Sequence, residues 1–191
     1  MSTKHKNEGY FHSVRYPFLL SLVLFLLSVY VGYSFSELFP INILEGLGET
    51  FIEIEKWNQL QLLLFIFLNN TVKSFLAILL GFIFGIYPLL FITVNGLVIG
   101  LVTSEVEKIK GISFALAAIL PHGIVEIPMV LLSAAIGFRI GYETVKKLRG
   151  QGSVKRELIR GINFFIKRIL VFLLLAAIIE AFLTPLIAYN L

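Results

Sequence analysis

Cysteine is absent from this chain of 191 residues, and so is aspartate: all 12 acidic residues are glutamate. Without Cys there is no disulfide, no thiolate metal site and no Cys nucleophile. Charge of either sign is scarce, at 15%, against roughly 25% in ordinary soluble domains. Histidine occurs only three times, and His5 and His12 lie close to the amino terminus. No G-x-S-x-G elbow, P-loop or Rossmann fingerprint occurs, so acyl hydrolysis and nucleotide use have no support.

What is present is hydrocarbon. Hydrophobic residues make up 58% of the chain, and the mean hydropathy is +0.90. A water-soluble domain of this size has too little interior for that much apolar surface. A soluble enzyme, a disordered chain and a nucleic-acid module are therefore poor readings, and the lipid bilayer is the natural solvent. About 20 residues are needed per helical crossing, so four to six spans would use nearly the whole chain. The expectation is an all-α, polytopic helix bundle forming one integral membrane domain over 1–191.

Five runs fit. Residues 1–16 are polar and read as a cytoplasmic tail, followed by an apolar run from Pro17 to about Phe39. A basic stretch before such a run also describes a signal peptide. No Ala precedes Ala77, so an A-x-A cleavage site is missing and a retained first helix is expected. Residues 60–86 form the second run, 88–103 the third, 112–141 the fourth and 164–189 the fifth. Between the first two, at 40–59, Glu45, Glu49 and Glu53 alternate with Ile43, Leu44, Leu47, Phe51 and Ile54. That is an amphipathic helical pattern too charged to span, a short outer helix that either lies in the interface with Trp57 at headgroup level or caps the bundle.

The distribution of charge tests this count. The amino-terminal stretch carries Lys4, Lys6 and Arg15, and the connector at 142–163 with its flanks carries nine Lys or Arg from Arg139 to Arg168. The 40–59 and 104–111 segments hold only Lys56, Lys108 and Lys110. Five crossings put the two basic segments on one side, whereas four or six would separate them. The positive-inside rule then places the amino terminus in the cytoplasm and the carboxyl terminus outside the cell membrane. The basic connector reads as a topology determinant that also meets anionic lipid headgroups. A docking site for a cytoplasmic partner is the sharper alternative. Interleaved aromatics that would favour nucleic acid are missing, so no nucleic-acid partner is expected.

A charge near the bilayer centre costs at least ~2.5–3.5 kcal/mol, and such groups usually face a bundle interior or a wet cavity. Lys73, Glu126 and Glu180 fall inside spans, with His122, Asn69, Asn70 and Asn95. Asn69 and Lys73 share a helix face by their spacing of four, as do His122 and Glu126. The expectation is one buried polar cluster. In the fourth span, Pro121 and Pro128 each remove a backbone donor, and Gly123 permits unusual angles. A helix break at Pro-His-Gly is expected there, with half-helices at 112–120 and about 124–141. The small-residue pairs Gly81/Gly85, Gly96/Gly100 and Gly137/Gly141 read as packing within the bundle, with dimerisation as the alternative.

The motifs PHGIVEIP at 121–128 and NGLVIG at 95–100, with the Asn-rich centre of the second span, resemble the stage II sporulation protein M family. The resemblance spans roughly residues 15–190, and Asn70, Asn95, Gly96, Pro121, His122, Gly123 and Glu126 match its motifs. It implies a multi-pass membrane protein of bacteria and archaea. In spore formers the family's namesake works with two other sporulation proteins and helps to organise peptidoglycan-degrading machinery without hydrolysing the wall itself. Lys73 and Glu180 rest on the physical reading alone. Together these readings predict a non-enzymatic scaffold or assembly component, with membrane-protein partners or self-association, no cofactor, no bound metal and no catalytic residue. The alternative is an ion-coupled transporter or permease using Lys73, His122, Glu126 and Glu180. A weaker alternative is an intramembrane metallohydrolase with His122, Glu126 and Glu180 as ligands.

Overall fold

The apolar runs fold as long helices. The structure, a computed structural model, describes residues 3–38 and 57–183, and their side chains apart from those of 3–8 and 118–122. The helices are α1 (Thr3–Ser34), α2 (Gln59–Leu79), α3 (Ile86–Lys110), α4 (Ile112–Leu148), α5 (Val154–Phe164) and α6 (Leu170–Ile178). A π-helical stretch, Phe165–Ile169, joins α5 to α6 without interruption, and a second, Ile179–Leu183, continues α6. Among the described residues, five helices are long and apolar enough to cross a membrane, the last running from Val154 to Leu183. The amphipathic segment expected at 40–59 lies outside the described residues as far as residue 56.

Local chemistry sets several ends. Asn58 caps α2 reciprocally: its side chain accepts from the Gln61 amide, while the Gln61 side chain accepts from the Asn58 amide. Such a box satisfies two otherwise orphaned donors. Trp57 beside it packs edge-on against Phe65, with ring centroids 5.0 Å apart. Between α2 and α3 the chain reverses through Leu80–Phe82 and then Gly85, whose φ of 75° lies in the left-handed region that glycine tolerates.

The expected break in the fourth span is not there. α4 is one helix of 37 residues, with helical backbone through Pro121, His122 and Gly123 and past Pro128. Each proline removes only its own bond to the carbonyl four residues back. In hydrocarbon, unwinding would expose several more unpaired backbone groups, so a continuous helix with two missing bonds is the cheaper outcome. Other elements run longer than expected. α1 starts at Thr3 rather than Pro17, α3 continues through the polar residues to Lys110, and the basic connector is helical except at 149–153.

The helices alternate in direction, and glycines set their contacts. A Cβ built on Gly96 would meet Phe25 and Ser28, and one on Gly100 would strike the backbone of Val29, Gly32 and Tyr33. Residue numbers rise together along that seam, and a hydrogen bond of 2.9 Å between Ser36 and Ser104 extends it. α1 and α3 are therefore parallel. Gly81 and Gly137 face one another, as do Gly85 and Gly141, which aligns α2 with α4. With small residues at the contact, backbones approach closely and gain dispersion energy that lipid cannot replace.

α4 is the central element. Of its most apolar stretch 56% is buried, against 17% for α2, so α2 is peripheral. One core layer gathers Tyr10, Ile78, Ile136, Ile140 and Phe165, from α1, α2, α4 and the first π-helical stretch. This layer brings the amino-terminal part of α1 to the same end of the bundle as the α4–α5 turn.

Candidate functional site

At that end α4 outruns the hydrocarbon. Its 37 residues span about 55 Å at 1.5 Å per residue, against a core of about 30 Å. The apolar run of α4 ends at Arg139, and the uninterrupted apolar run of the last span begins at Ile169, after Lys167 and Arg168. Between these points, charged side chains face one another across the α4–α5 turn.

The turn is Arg-Gly-Gln-Gly-Ser, with Gly150 and Gly152 at φ of 74° and 78°. A Cβ at Gly152 would lie 2.6 Å from Glu143 Oε2. Glycine at 152 therefore satisfies both the backbone angle and the clearance that lets this carboxylate reach back. The Ser153 amide donates to Glu143 Oε2 at 3.1 Å, and the Ser153 hydroxyl accepts from the Arg156 amide, capping α5. Glu143 also pairs with Lys146 at 3.4 Å and with Arg139 at 3.6 Å.

Glu157 stands one turn into α5. Its carboxylate pairs with Arg160 at 3.4 Å and with Arg139 Nε at 3.7 Å. Glu143 and Glu157 are both buried, at 7% and 4% exposure. Two carboxylates so withdrawn from water need cations beside them, and Arg139 serves both. The Arg160 guanidinium lies 4.8 Å above the Tyr10 ring, tying α5 to α1. Three buried polar atoms of this group fall short of hydrogen-bond geometry, Tyr10 Oη, Arg139 Nε and Glu157 Oε1, the first two both directed at the Glu157 carboxylate. The last two face each other, but beyond hydrogen-bond distance. Around them lies a cavity of about 310 Å³ lined by Arg139, Glu143, Gly152, Ser153, Arg156, Glu157 and Arg160.

The residues singled out from the sequence are distributed differently. Lys73 lies on the exposed surface of α2 rather than inside the bundle, which corrects the expectation of a buried Lys. Asn69 and Asn70 are half-buried, and the Asn69 side-chain amide donates to Asn70 Oδ1 at 3.2 Å. Asn95 donates to the Phe91 carbonyl of its own helix at 2.7 Å, so it does not reach across to another span. Glu126 and Glu180 are half-buried, and neither is without a partner. Glu180 sits in the second π-helical stretch. The His122 side chain is outside the described residues. No three His, Asp or Glu gather at metal-binding spacing among the described residues. Gly123 and Pro128 line an apolar groove of about 390 Å³ with Phe18 and Leu22 of α1.

The opposite end is smaller in reach. There Tyr33 donates to Glu107, and Lys108 pairs with Glu105 at 2.8 Å.

The sequence reading missed the Arg139–Glu143–Glu157–Arg160 group. The signals were there: Arg139 and Glu143 are four apart, Glu157 and Arg160 three apart, with two glycines and a capping Ser between. Summing the segment as basic hid the two carboxylates.

Comparison with known proteins agrees with this architecture. The family model Stage II sporulation protein M matches residues 21–185. An uncharacterized protein of Methanocaldococcus jannaschii is 32% identical over 187 residues, covering 92% of this chain and 97% of the relative. No solved structure matches.

Proposed function

Since the chain belongs to the stage II sporulation protein M family and is a multi-pass membrane protein, we propose that it acts as a non-enzymatic scaffold that assembles with other membrane proteins. One observation carries the reading: the position of Lys73. It lies 14 residues beyond the start of α2 at Gln59, about 21 Å along the helix. Its side chain is exposed on the peripheral helix. An ammonium facing lipid at depth costs at least ~2.5–3.5 kcal/mol, relieved in part if the side chain snorkels. A protein surface supplying an acceptor relieves it fully. Asn69 and Asn70, half-buried on the same stretch, offer further groups that bond well across helices in lipid.

Under this reading the partner seats against α2, through Leu64, Leu68 and Val72, all exposed. The amino terminus and the α4–α5 turn lie in the cytoplasm, following the excess of Lys and Arg at that end. An outward-facing Lys73 also argues against the transport alternative, which needs that charge inside.

The chain has no Cys, which permits a direct test. Single-Cys variants Leu68→Cys and Val72→Cys, treated with a short bifunctional reagent in native membranes, should give crosslinked species. Adding Lys73→Leu should raise the monomer fraction on blue-native gels. A single monomeric band with no crosslinks at either position would refute the proposal.

A further inference from the structure

We propose that the cavity at the α4–α5 turn binds the phosphodiester of an anionic phospholipid headgroup. Three guanidinium groups and two carboxylates line it, leaving one positive charge uncompensated. A phosphodiester carries one negative charge. Glu143 and Glu157 are engaged with Arg139, Arg160 and Lys146, whereas the Arg156 side chain has no ion pair among the described residues. Arg156 is therefore the guanidinium free to take the phosphate, and guanidinium–phosphate pairs are frequently bidentate.

Arg139 Nε and the Tyr10 hydroxyl are both directed at Glu157, so that carboxylate is compensated from within the protein and the surplus charge rests on Arg156. The volume, about 310 Å³, lies at the small end of the roughly 300–1,000 Å³ typical of ligand clefts, suited to a headgroup rather than a nucleotide.

Position distinguishes lipid from a soluble phosphate. The pocket sits between Arg139, which ends the apolar run of α4, and Lys167 and Arg168, which precede the apolar run of the last span, and Arg160 at its rim packs over Tyr10 of α1. This is headgroup level, where basic pockets between membrane helices meet anionic lipids.

The test uses the full chain in detergent, with lipid retention read by native mass spectrometry and by thermal shift. Phosphatidylglycerol should bind more tightly than phosphatidylcholine, which is neutral. Arg156→Gln should weaken phosphatidylglycerol binding by about tenfold, the scale of one charged hydrogen bond. Arg156 is exposed, so the fold should survive. Lys147→Gln, outside the pocket, should leave binding unchanged. Three results would each overturn the proposal: equal losses from Arg156→Gln and Lys147→Gln, phosphatidylcholine binding as well as phosphatidylglycerol, or millimolar inorganic phosphate stabilising the protein as much as the lipid.

Discussion

Arg139 is the cation on which two buried carboxylates converge, so its removal is a sharp test of how this end of the bundle holds together. Its guanidinium lies 3.6 Å from Glu143 and 3.7 Å from Glu157. Arg139→Met keeps most of the aliphatic stem and deletes the charge. Glu143 retains Lys146, and Glu157 retains Arg160, but those partners are 36% and 43% exposed. The two carboxylates then face each other across the turn with only half-solvated cations. Breaking a buried ion pair costs about 3–5 kcal/mol. The Arg139 side chain keeps 26% exposure, and water screens part of the loss, so about 2–3 kcal/mol is expected. Reversible denaturation in mixed detergent micelles measures it. Glu157→Gln supplies the second leg of a double-mutant cycle. Because the pair shares one contact, the double variant should cost at least about 1 kcal/mol less than the sum of the single ones. A cost for Arg139→Met below about 0.5 kcal/mol, or strictly additive effects, would show that this network does not stabilise the turn.

The glycine seams make opposite predictions at two positions. Gly100→Leu must push against the backbone of α1 and should lower stability by more than about 2 kcal/mol; no loss in a thermal-shift assay would show that the helices separate freely. Gly9→Ala meets nothing within 4 Å on a helical stretch and should be neutral or stabilising by up to about 1 kcal/mol in the same assay. Removing the cap of α2 with Asn58→Ala should cost about 1 kcal/mol, read as a lower unfolding midpoint, and Asn58→Ser should recover most of it. For orientation, Gln59→Cys should react with an impermeant maleimide in intact cells, and Gln151→Cys only after permeabilisation; the reverse pattern would invert the proposed topology.

Much of the bundle was legible from apolar run length alone, because hydrocarbon demands both a minimum span and complete backbone bonding. The seams at Gly96/Gly100 and Gly137/Gly141 were visible as spacing, although spacing named no partner helix. Three features were not legible. Pro121 and Gly123 carry the local signature of a break, yet their surroundings decide the outcome, and in lipid the helix persists. Asn69 and Lys73 share a face by arithmetic, but arithmetic does not say whether that face looks inward. Asn95 could bond across the bundle or along its own helix, and the sequence is the same in either case. The charged pocket needed a turn that folds α5 back onto α4, a contact with no periodicity to announce it.

The distribution of polar groups follows from where water is available. In the span interiors the described polar side chains are mostly uncharged and bonded within their own helix, as with Ser133 to Met129 and Asn95 to Phe91. Such bonds satisfy a donor without help from a second helix. Ionised groups with several partners occur where α4 emerges from the hydrocarbon, because only there does the cost of burying a carboxylate fall within reach of a few guanidinium contacts. α4 carries both regimes on one rigid rod: Ser133 in the first, and Arg139 and Glu143 in the second, one to three turns later. Recognition of a membrane partner and of a headgroup would therefore use separate surfaces, the exposed face of α2 and the end of α4. It follows that Lys73→Leu should change assembly without changing lipid retention, and Arg156→Gln the reverse. Parallel loss of both properties in either variant would mean that the two surfaces are coupled through the bundle, against the independence that their placement implies.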